Sequence, residues 1–320
     1  MKRAFLFPGQ GAQSVGMGKD IYEKYDEAKK IYKKVEEITG KDIKKICFDG
    51  PEAELIRTEN AQLAILTTSL AILEILKARG IKADIAVGLS LGEYTALIYG
   101  GYISVEDGIK LIQKRGYYME NYLPEGEYAM AAVIGLNPKK IEEICAEISL
   151  KGKFVVPANY NCTTQIAISG TSEAIDIAIE RLKEAGAKRV IKLKTSGPFH
   201  TQKLEEASRL FYKELEKIEF HEGKKIKVIK NLDGKMYSQE DELKEILAKH
   251  IISPVRFDKA IDVMREYGVD RFIEIGPGKT LTGFVKKDYP EAKLLNINNC
   301  ESLEKFLSDE VMIWVMNRKE

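Results

Sequence analysis

The sequence predicts an α/β fold in which helices cover a mainly parallel sheet and a smaller second domain is inserted. Two observations predict this class. Short apolar runs alternate with amphipathic segments from the amino terminus onward, as expected for strands buried between layers of helices. This rhythm changes near residue 126 and returns near residue 195. We therefore expect a large domain formed by residues 1–125 and 195–320 and a small domain formed by residues 126–194.

Each element of the large domain has either an apolar run of strand length or apolar residues at helical spacing. The expected strands lie at residues 4–7, 85–88, 226–229 and 271–275, and the expected helices at residues 21–38, 60–78, 241–249 and within 254–267.

The small domain has the order β-α-β-β-α-β. Its expected strands lie at residues 130–134, 154–160, 165–170 and 187–192, and its expected helices at residues 138–148 and 172–185. Asn137-Pro138 and Thr171-Ser172-Glu173 are typical helix starts. This order is that of the ferredoxin-like split unit.

Composition argues against several classes of function. The 320 residues carry a formal net charge of +1, so no overall field favours nucleic acid or an anionic membrane. No stretch is expected to reach the roughly 20 apolar residues of a membrane span. The cysteines are far apart without a Cys-x-x-Cys pair, which argues against a zinc site or disulfides. We expect a cytoplasmic protein with reduced thiols at Cys47, Cys145, Cys162 and Cys300.

A serine flanked by glycines follows the strand at residues 85–88. Gly88-Leu89-Ser90-Leu91-Gly92 stands between an apolar run and a helix-forming stretch, the setting of a nucleophile on a sharp strand-to-helix turn. The first N–H groups of the helix favour negative charge on a neighbouring carbonyl oxygen. Ser90 is therefore the first candidate nucleophile, and an ordinary Gly/Ser turn is the alternative.

A serine nucleophile needs a base, and the chain has three histidines. His200 follows Gly197-Pro198-Phe199, a tight turn that would hold its imidazole in place. His250 is expected at the end of a helix, where a cation has a sufficient structural role. His221 lies in a polar stretch and is interpreted as a surface residue. We favour His200 over His250.

Arg115 is expected on the apolar face of a helix. Ser104-Val105-Glu106-Asp107 resembles a capping box, and Arg115 is spaced with Leu111, Ile112 and Met119. An arginine in this position needs an anionic partner. That partner is either an internal carboxylate or the carboxylate of a substrate, which a guanidinium binds bidentately.

The glycine-containing loop at residues 7–13 does not match a phosphate-binding motif. A dinucleotide fingerprint would need glycine where Ser14 stands. Gly278-Lys279-Thr280 resembles the end of a Walker loop, but Ile273 stands where that loop needs its first glycine. The loop at residues 7–13 can instead bring backbone N–H groups close to an oxyanion.

Six motifs in order resemble the malonyl-CoA:acyl carrier protein transacylases, the acyltransferase family of fatty acid and polyketide synthesis. They are Phe7-Pro8-Gly9-Gln10-Gly11, Gly88-x-Ser90-Leu91-Gly92-Glu93, Arg115-Gly116 with Met119, Gly197-Pro198-Phe199-His200, Ser253-Pro254-Val255-Arg256-Phe257 and Glu274-Ile275-Gly276-Pro277-Gly278-Lys279. These motifs cover nearly the whole chain. The resemblance implies a hydrolase-like α/β domain with a ferredoxin-like insertion, which is also the layout predicted from the segments.

The resemblance also implies a reaction. Ser90 would be the nucleophile and His200 its general base, Arg115 would bind the malonyl carboxylate, and the backbone N–H groups of Gln10 and Leu91 would form the oxyanion hole. The malonyl group would pass from malonyl-CoA to Ser90 and then to the phosphopantetheine thiol of holo acyl carrier protein. No metal or other cofactor is implied, and we expect a monomer.

Two neighbours of the base have implied roles as well. In related domains a phenylalanine at the position of Phe199 accompanies malonyl rather than methylmalonyl, and a backbone carbonyl, here that of His250, orients the histidine. The chain departs from the family at Leu89, where histidine is usual, and at His250, where glutamine is frequent. Cys162-Thr163-Thr164-Gln165 replaces a turn that usually contains proline and glycine.

Two other functions remain as alternatives. A serine thioesterase or acyl hydrolase would use the same Ser90 and His200, but Arg115 would then have no obvious role. A non-enzymatic interaction protein is the weaker alternative. Six basic residues either meet an acidic carrier protein or are simply solvated: Lys188, Arg189, Lys192, Lys194, Lys286 and Lys287.

Overall fold

The computed structural model describes residues 2–195, 197–223 and 226–316. Its strands, in chain order, are β1 (Lys2–Phe7), β2 (Ile85–Gly88), β3 (Tyr128–Ile134), β4 (Val155–Cys162), β5 (Gln165–Thr171), β6 (Arg189–Lys192), β7 (Lys227–Val228), β8 (Val255–Arg256), β9 (Val269–Ile275) and β10 (Lys293–Ile297). Its helices are α1 (Lys19–Lys24), α2 (Asp26–Thr39), α3 (Ile43–Phe48), α4 (Glu52–Leu55), α5 (Thr58–Ala78), α6 (Gly92–Gly100), α7 (Val105–Asn121), α8 (Pro138–Leu150), α9 (Ser172–Glu184), α10 (Glu205–Leu215), α11 (Leu243–Ile251), α12 (Phe257–Glu266), α13 (Thr280–Asp288) and α14 (Cys300–Met316).

The first sheet is parallel, with strand order β10-β9-β1-β2-β7. Successive side chains of β1 point to opposite faces of this sheet. Phe5 and Phe7 therefore pack into one core cluster, and Ala4 and Leu6 pack into the other. Parallel strands end at the same edge, and Phe7 pairs with Gly88 there. The loop after β1 and the turn after β2 are therefore brought together.

The second sheet is mixed, with strand order β6-β3-β5-β4-β8. Strands β3 to β6 with helices α8 and α9 follow the expected β-α-β-β-α-β order. Strand β8 was not expected; it adds to the edge in parallel, where Asn159 pairs with Val255. A strand of two residues has no periodicity, so only its neighbours in the fold define it.

The turn between β4 and β5 is a two-residue hairpin loop, because Cys162 pairs directly with Gln165. The Thr163 N–H donates to the Asp288 carboxylate at 2.9 Å, and the Gly135 N–H donates to the Thr164 carbonyl at 2.8 Å. Contacts from the rest of the fold thus support a turn that lacks proline and glycine.

The prediction of one helix at residues 21–38 was wrong. The chain is extended at Tyr25, with φ −116° and ψ 126°, between α1 and α2. The Tyr25 N–H closes α1 on the Ile21 carbonyl, and the Tyr25 carbonyl accepts from Lys29 in α2. The Arg79 guanidinium lies 5.3 Å from the Tyr25 ring centroid. The break between the two helices is thus accompanied by a contact with Arg79. The spacing of the apolar residues gives no sign of this break.

Helix α5 is long and apolar enough, by length and composition, to cross a membrane. The expectation that no stretch approaches this length was therefore wrong. In the structure, 83% of the apolar window of α5 is buried inside the protein, where it packs against α2 and α7. Two of its buried residues, Thr58 and Gln62, are polar and contact residues of the candidate site.

Candidate active site

Ser90 lies on a sharp elbow between β2 and α6. Its φ is 54°, in the left-handed region that strains a residue other than glycine. A Cβ on Gly88 would overlap the backbone of Gly92, and a Cβ on Gly92 would overlap the Phe7 carbonyl. Glycine on both sides of Ser90 is therefore a packing requirement, and the segment is not an ordinary Gly/Ser turn.

The structure places the buried His200 beside this serine. His200 Nε2 lies 2.8 Å from Ser90 Oγ, and His200 Nδ1 lies 3.0 Å from the His250 carbonyl oxygen. A carbonyl can only accept, so the network assigns the proton to Nδ1 and leaves Nε2 to accept from the Ser90 hydroxyl. The His200 backbone is also left-handed, with φ 60°.

The surroundings of His200 keep its imidazole neutral. Burial holds the pKa of His200 well below its usual 6.5, and the nearby His250 and Arg115 lower this pKa further. A neutral ring at pH 7 has the lone pair on Nε2 that a general base requires.

Arg115, on α7, is 0% exposed. Its Nη2 donates to Ser90 Oγ at 3.0 Å, its Nη1 donates to Gln62 Oε1 at 2.8 Å, and its guanidinium lies 5.6 Å from the Tyr94 ring centroid. No carboxylate of the described residues lies within 4.0 Å of its guanidinium nitrogens. The internal ion pair considered from the sequence is thus not formed there. Burial lowers the pKa of Arg115.

The loop after β1 lies against the elbow, because a Cβ on Gly9 would overlap the Leu89 carbonyl oxygen. Gln10 Nε2 donates to Thr58 Oγ1 at 3.3 Å. Leu91 is buried at the start of α6. In the part of the chain that the structure describes, the backbone N–H groups of Gln10 and Leu91 have no acceptor. Both donors are therefore free for an oxyanion.

Of the remaining candidate residues, Phe199 and His250 lie next to His200, whereas His221 lies on the surface. Phe199 is buried directly before His200, and the ring of His250 stacks on that of His200 with centroids 5.0 Å apart. His221 is exposed, 3.9 Å from Glu219. The side chain of Leu89 packs against the apolar cluster that contains Ala4, Leu6 and Val87.

Sequence reasoning missed Asn231. Its Oδ1 accepts from the Ser90 N–H at 2.7 Å, and its Nδ2 donates to the Gly88 carbonyl at 2.6 Å. Asn231 follows β7, which pairs with β2 at the edge carrying the elbow. A polar residue shortly after an expected strand was the signal that could have found it. Gln62, a polar residue within an apolar helix, was a similar signal.

No group of three or more His, Cys, Asp and Glu side chains among the described residues could hold a metal ion. Burial raises the pKa of the Cys47 and Cys145 thiols to about 12. These two thiols are consequently protonated at neutral pH, which makes them poor nucleophiles and poor metal ligands.

Comparison with known proteins relates this geometry to a family. Residues 4–312 match the family model described as acyl transferase domain. The malonyl CoA-acyl carrier protein transacylase of Bacillus subtilis (strain 168) is 40% identical over 303 residues, which are 95% of each chain. That of Staphylococcus aureus (strain MRSA252) is 39% identical, over 95% of this chain and 97% of its own. The chain belongs to the malonyl CoA-acyl carrier protein transacylase family.

Solved transacylase structures have the same fold. The malonyl CoA-acyl carrier protein transacylase from Clostridium perfringens Atcc 13124 has a TM-score of 0.93 and 43% identity, covering 99% of this chain and 100% of that one. A malonyl-transacylase in complex with a type II PKS acyl-carrier protein has a TM-score of 0.92 and 34% identity, covering 97% and 100%. The predicted fold class and the predicted acyltransferase family are confirmed.

Proposed function

We propose that the protein transfers the malonyl group of malonyl-CoA to the phosphopantetheine thiol of holo acyl carrier protein, as a step of fatty acid biosynthesis. The observation that carries this proposal is Arg115, a fully buried cation with Nη2 3.0 Å from Ser90 Oγ. A malonyl thioester has a carboxylate one methylene away from the carbonyl that a serine attacks. That carboxylate would supply the anion that Arg115 lacks. The names of the relatives support malonyl-CoA and the carrier protein as substrates.

In the first half-reaction, Ser90 Oγ attacks the thioester carbonyl and its proton moves to His200 Nε2. The N–H groups of Gln10 and Leu91 stabilise the oxyanion. When the intermediate collapses, the C–S bond breaks and the proton passes from His200 to the sulfur of CoA. The His250 carbonyl, 3.0 Å from Nδ1, stabilises the imidazolium that forms between these transfers.

In the second half-reaction, the thiol of the carrier protein attacks the malonyl-serine ester. His200 takes the thiol proton and returns it to Ser90 Oγ as the C–O bond breaks. Ser90, His200 and the two thiols account for every proton and electron pair. We therefore infer that the reaction needs no metal or other cofactor. All of these side chains belong to one chain, so a monomer is sufficient.

Two residues select the acyl group in this proposal. Arg115 disfavours a neutral acyl group, which would leave a buried guanidinium unpaired. The ring of Phe199, buried beside His200, fills the space next to the α-carbon and disfavours a methyl branch there.

Intact-mass measurement tests the proposal. After addition of malonyl-CoA, we expect a malonyl adduct on the wild type and on His221→Ala, which alters an exposed histidine. We expect no adduct on Ser90→Ala and slow formation on His200→Ala. Addition of holo carrier protein should then yield malonyl-carrier protein. Free malonate without that product would instead establish the hydrolase, and an adduct on Ser90→Ala would remove Ser90 as the acceptor.

A further inference from the structure

One buried carboxylate contacts the supports of both Ser90 and His200. Glu93, the second residue of α6, is 0% exposed. Its Oε1 accepts from the Asn231 N–H at 3.2 Å and from the Tyr237 hydroxyl at 2.7 Å. Its Oε2 lies 3.1 Å from His250 Nδ1. The reaction as proposed above gives this carboxylate no task.

The first connection runs from Glu93 to the serine. The Asn231 backbone N–H donates to Glu93, while the Asn231 side chain bonds both the Ser90 N–H and the Gly88 carbonyl. The amide thus spans the elbow from the last residue of β2 to the nucleophile. Because Ser90 has a strained backbone, it holds that conformation only if its surroundings fix it.

The second connection runs from Glu93 to the histidine. His250 is fully buried, and its carbonyl accepts from His200 Nδ1. In the described residues its ring nitrogens make no hydrogen bond of good geometry, and Glu93 is its one acidic neighbour within 4.0 Å. A buried carboxylate requires a partner. The 3.1 Å contact therefore places the Glu93 carboxylate against the residue whose backbone carbonyl orients the base.

We propose that Glu93 is a positioning residue that holds Ser90 and His200 in reacting geometry through Asn231 and His250. This inference rests on the proposed function, because it assigns Glu93 to the reaction of that serine and histidine. Displacement of either partner by about 1 Å would slow the reaction roughly 100-fold. Glu93 touches neither the substrate nor the reacting atoms in this proposal.

Steady-state malonyl transfer from malonyl-CoA to holo carrier protein, together with rapid-quench intact-mass rates of Ser90 acylation, tests the inference. We expect Glu93→Ala to lower kcat about 100-fold and to change KM less than about threefold. Glu93→Gln keeps an oxygen that accepts from Asn231 and Tyr237 but loses the charge beside His250, so we expect it to recover kcat only in part, to about tenfold below the wild type. Asn231→Asp keeps the acceptor for Ser90 but loses the donor to Gly88, and we expect a kcat about tenfold below the wild type.

Glu274 provides a matched control for burial. It is also 0% exposed and accepts from the N–H groups of Leu281 and Thr282, and its hydrogen-bond partners among the described residues do not include Ser90, His200, Asn231 or His250. We expect Glu274→Ala to lower the Tm while the folded protein is acylated at nearly the wild-type rate. A Glu93→Ala variant that behaves in the same way would overturn the positioning role.

Two further outcomes are decisive. If Glu93→Ala does not fold, a wild-type kcat for both Glu93→Gln and Asn231→Asp would overturn the inference, and the expected losses would support it. If the wild type itself forms no adduct on Ser90, the proposed function fails and this inference fails with it. Wild-type acylation together with unaffected variants would leave the proposed function standing and remove only the role of Glu93.

Discussion

Ser90 Oγ and His200 Nε2 are 2.8 Å apart, and both residues have left-handed backbones, with φ of 54° and 60°. Outside glycine, they are the only residues with positive φ in the described ranges 2–195, 197–223 and 226–316. Each such conformation costs about 1 to 3 kcal/mol. The fold therefore concentrates its backbone strain at the two side chains that the proposed reaction uses.

Removal of Arg115 should change the choice of acyl group. We expect Arg115→Ala to lower kcat/KM for malonyl-CoA about 100-fold or more, since the substrate carboxylate would be buried without its partner. Acetyl-CoA has no carboxylate, so its relative rate should rise. Steady-state kinetics with both thioesters measure the ratio, and Arg209→Ala, which alters an exposed arginine, is the control. An unchanged malonyl-to-acetyl ratio would mean that Arg115 is structural.

The pH profile should reflect the environment of His200. Its pKa is lowered from 6.5 by burial and then by His250 and Arg115. A base with a lowered pKa stays deprotonated to lower pH, so the acidic limb of kcat/KM should lie below pH 6.5. His250→Gln removes one of these neighbours and should move the limb to higher pH. A wild-type limb above pH 7 would contradict the proposed role of a neutral His200.

Substitution of Phe199 should relax selection against a branched substrate. We expect Phe199→Ser to raise the ratio of methylmalonyl to malonyl transfer about tenfold, the scale set by one methyl group in an apolar pocket. Competition between the two CoA thioesters, read by mass spectrometry of the carrier protein, measures the ratio. If the ratio is unchanged, the Phe199 ring does not lie beside the α-carbon.

Two glycines should respond oppositely to alanine. In Gly92→Ala the new Cβ overlaps the Phe7 carbonyl, and we expect a loss of about 3 kcal/mol in the free energy of unfolding. Gly283 lies in α13 with nothing within 4 Å of its added Cβ. Gly283→Ala should therefore stabilise the protein by up to about 1 kcal/mol. Urea unfolding followed by circular dichroism compares the pair, and equal effects would contradict the packing argument.

The six basic residues singled out in the sequence are all exposed. Lys192 pairs with Asp176 and Lys194 with Glu52, so part of their charge is already compensated. If the surface meets an acidic carrier protein, Arg189→Glu and Lys286→Glu should raise KM for the carrier several-fold at low salt and leave KM for malonyl-CoA unchanged. Wild-type KM values for both substrates would identify these charges as merely solvated.

Features that depend on neighbouring residues in the chain could be predicted from the sequence. Contacts that depend on how distant segments pack together could not. The glycines around Ser90 and the Gly-Pro turn before His200 have steric causes that can be read from neighbouring residues. Helix α7 begins as its capping residues predict, because Ser104 Oγ accepts from the Asp107 N–H at 3.0 Å. By contrast, Asn231 reaches Ser90 from 141 positions away, and only the parallel sheet brings these residues together.

Several elements were not predicted for similar reasons. Helices α3 and α4 have six and four residues, and β8 has two, too short for any period to emerge. Helices α10 and α14, with 11 and 17 residues, and strand β10, with 5, were not recognised either. The break at Tyr25 shows the opposite error, in which one continuous apolar spacing spans two helices.

The proposed role of Arg115 would link substrate binding to the stability of the fold. Without a ligand, the core contains a cation that only neutral groups of the described residues contact. A ligand that supplies the missing anion binds the folded chain and not the unfolded one, so it shifts the unfolding equilibrium toward the native state. If Arg115 binds the malonyl carboxylate as proposed, the free enzyme should unfold more readily than the enzyme with bound substrate, and the supply of substrate then becomes a factor in the lifetime of the folded protein.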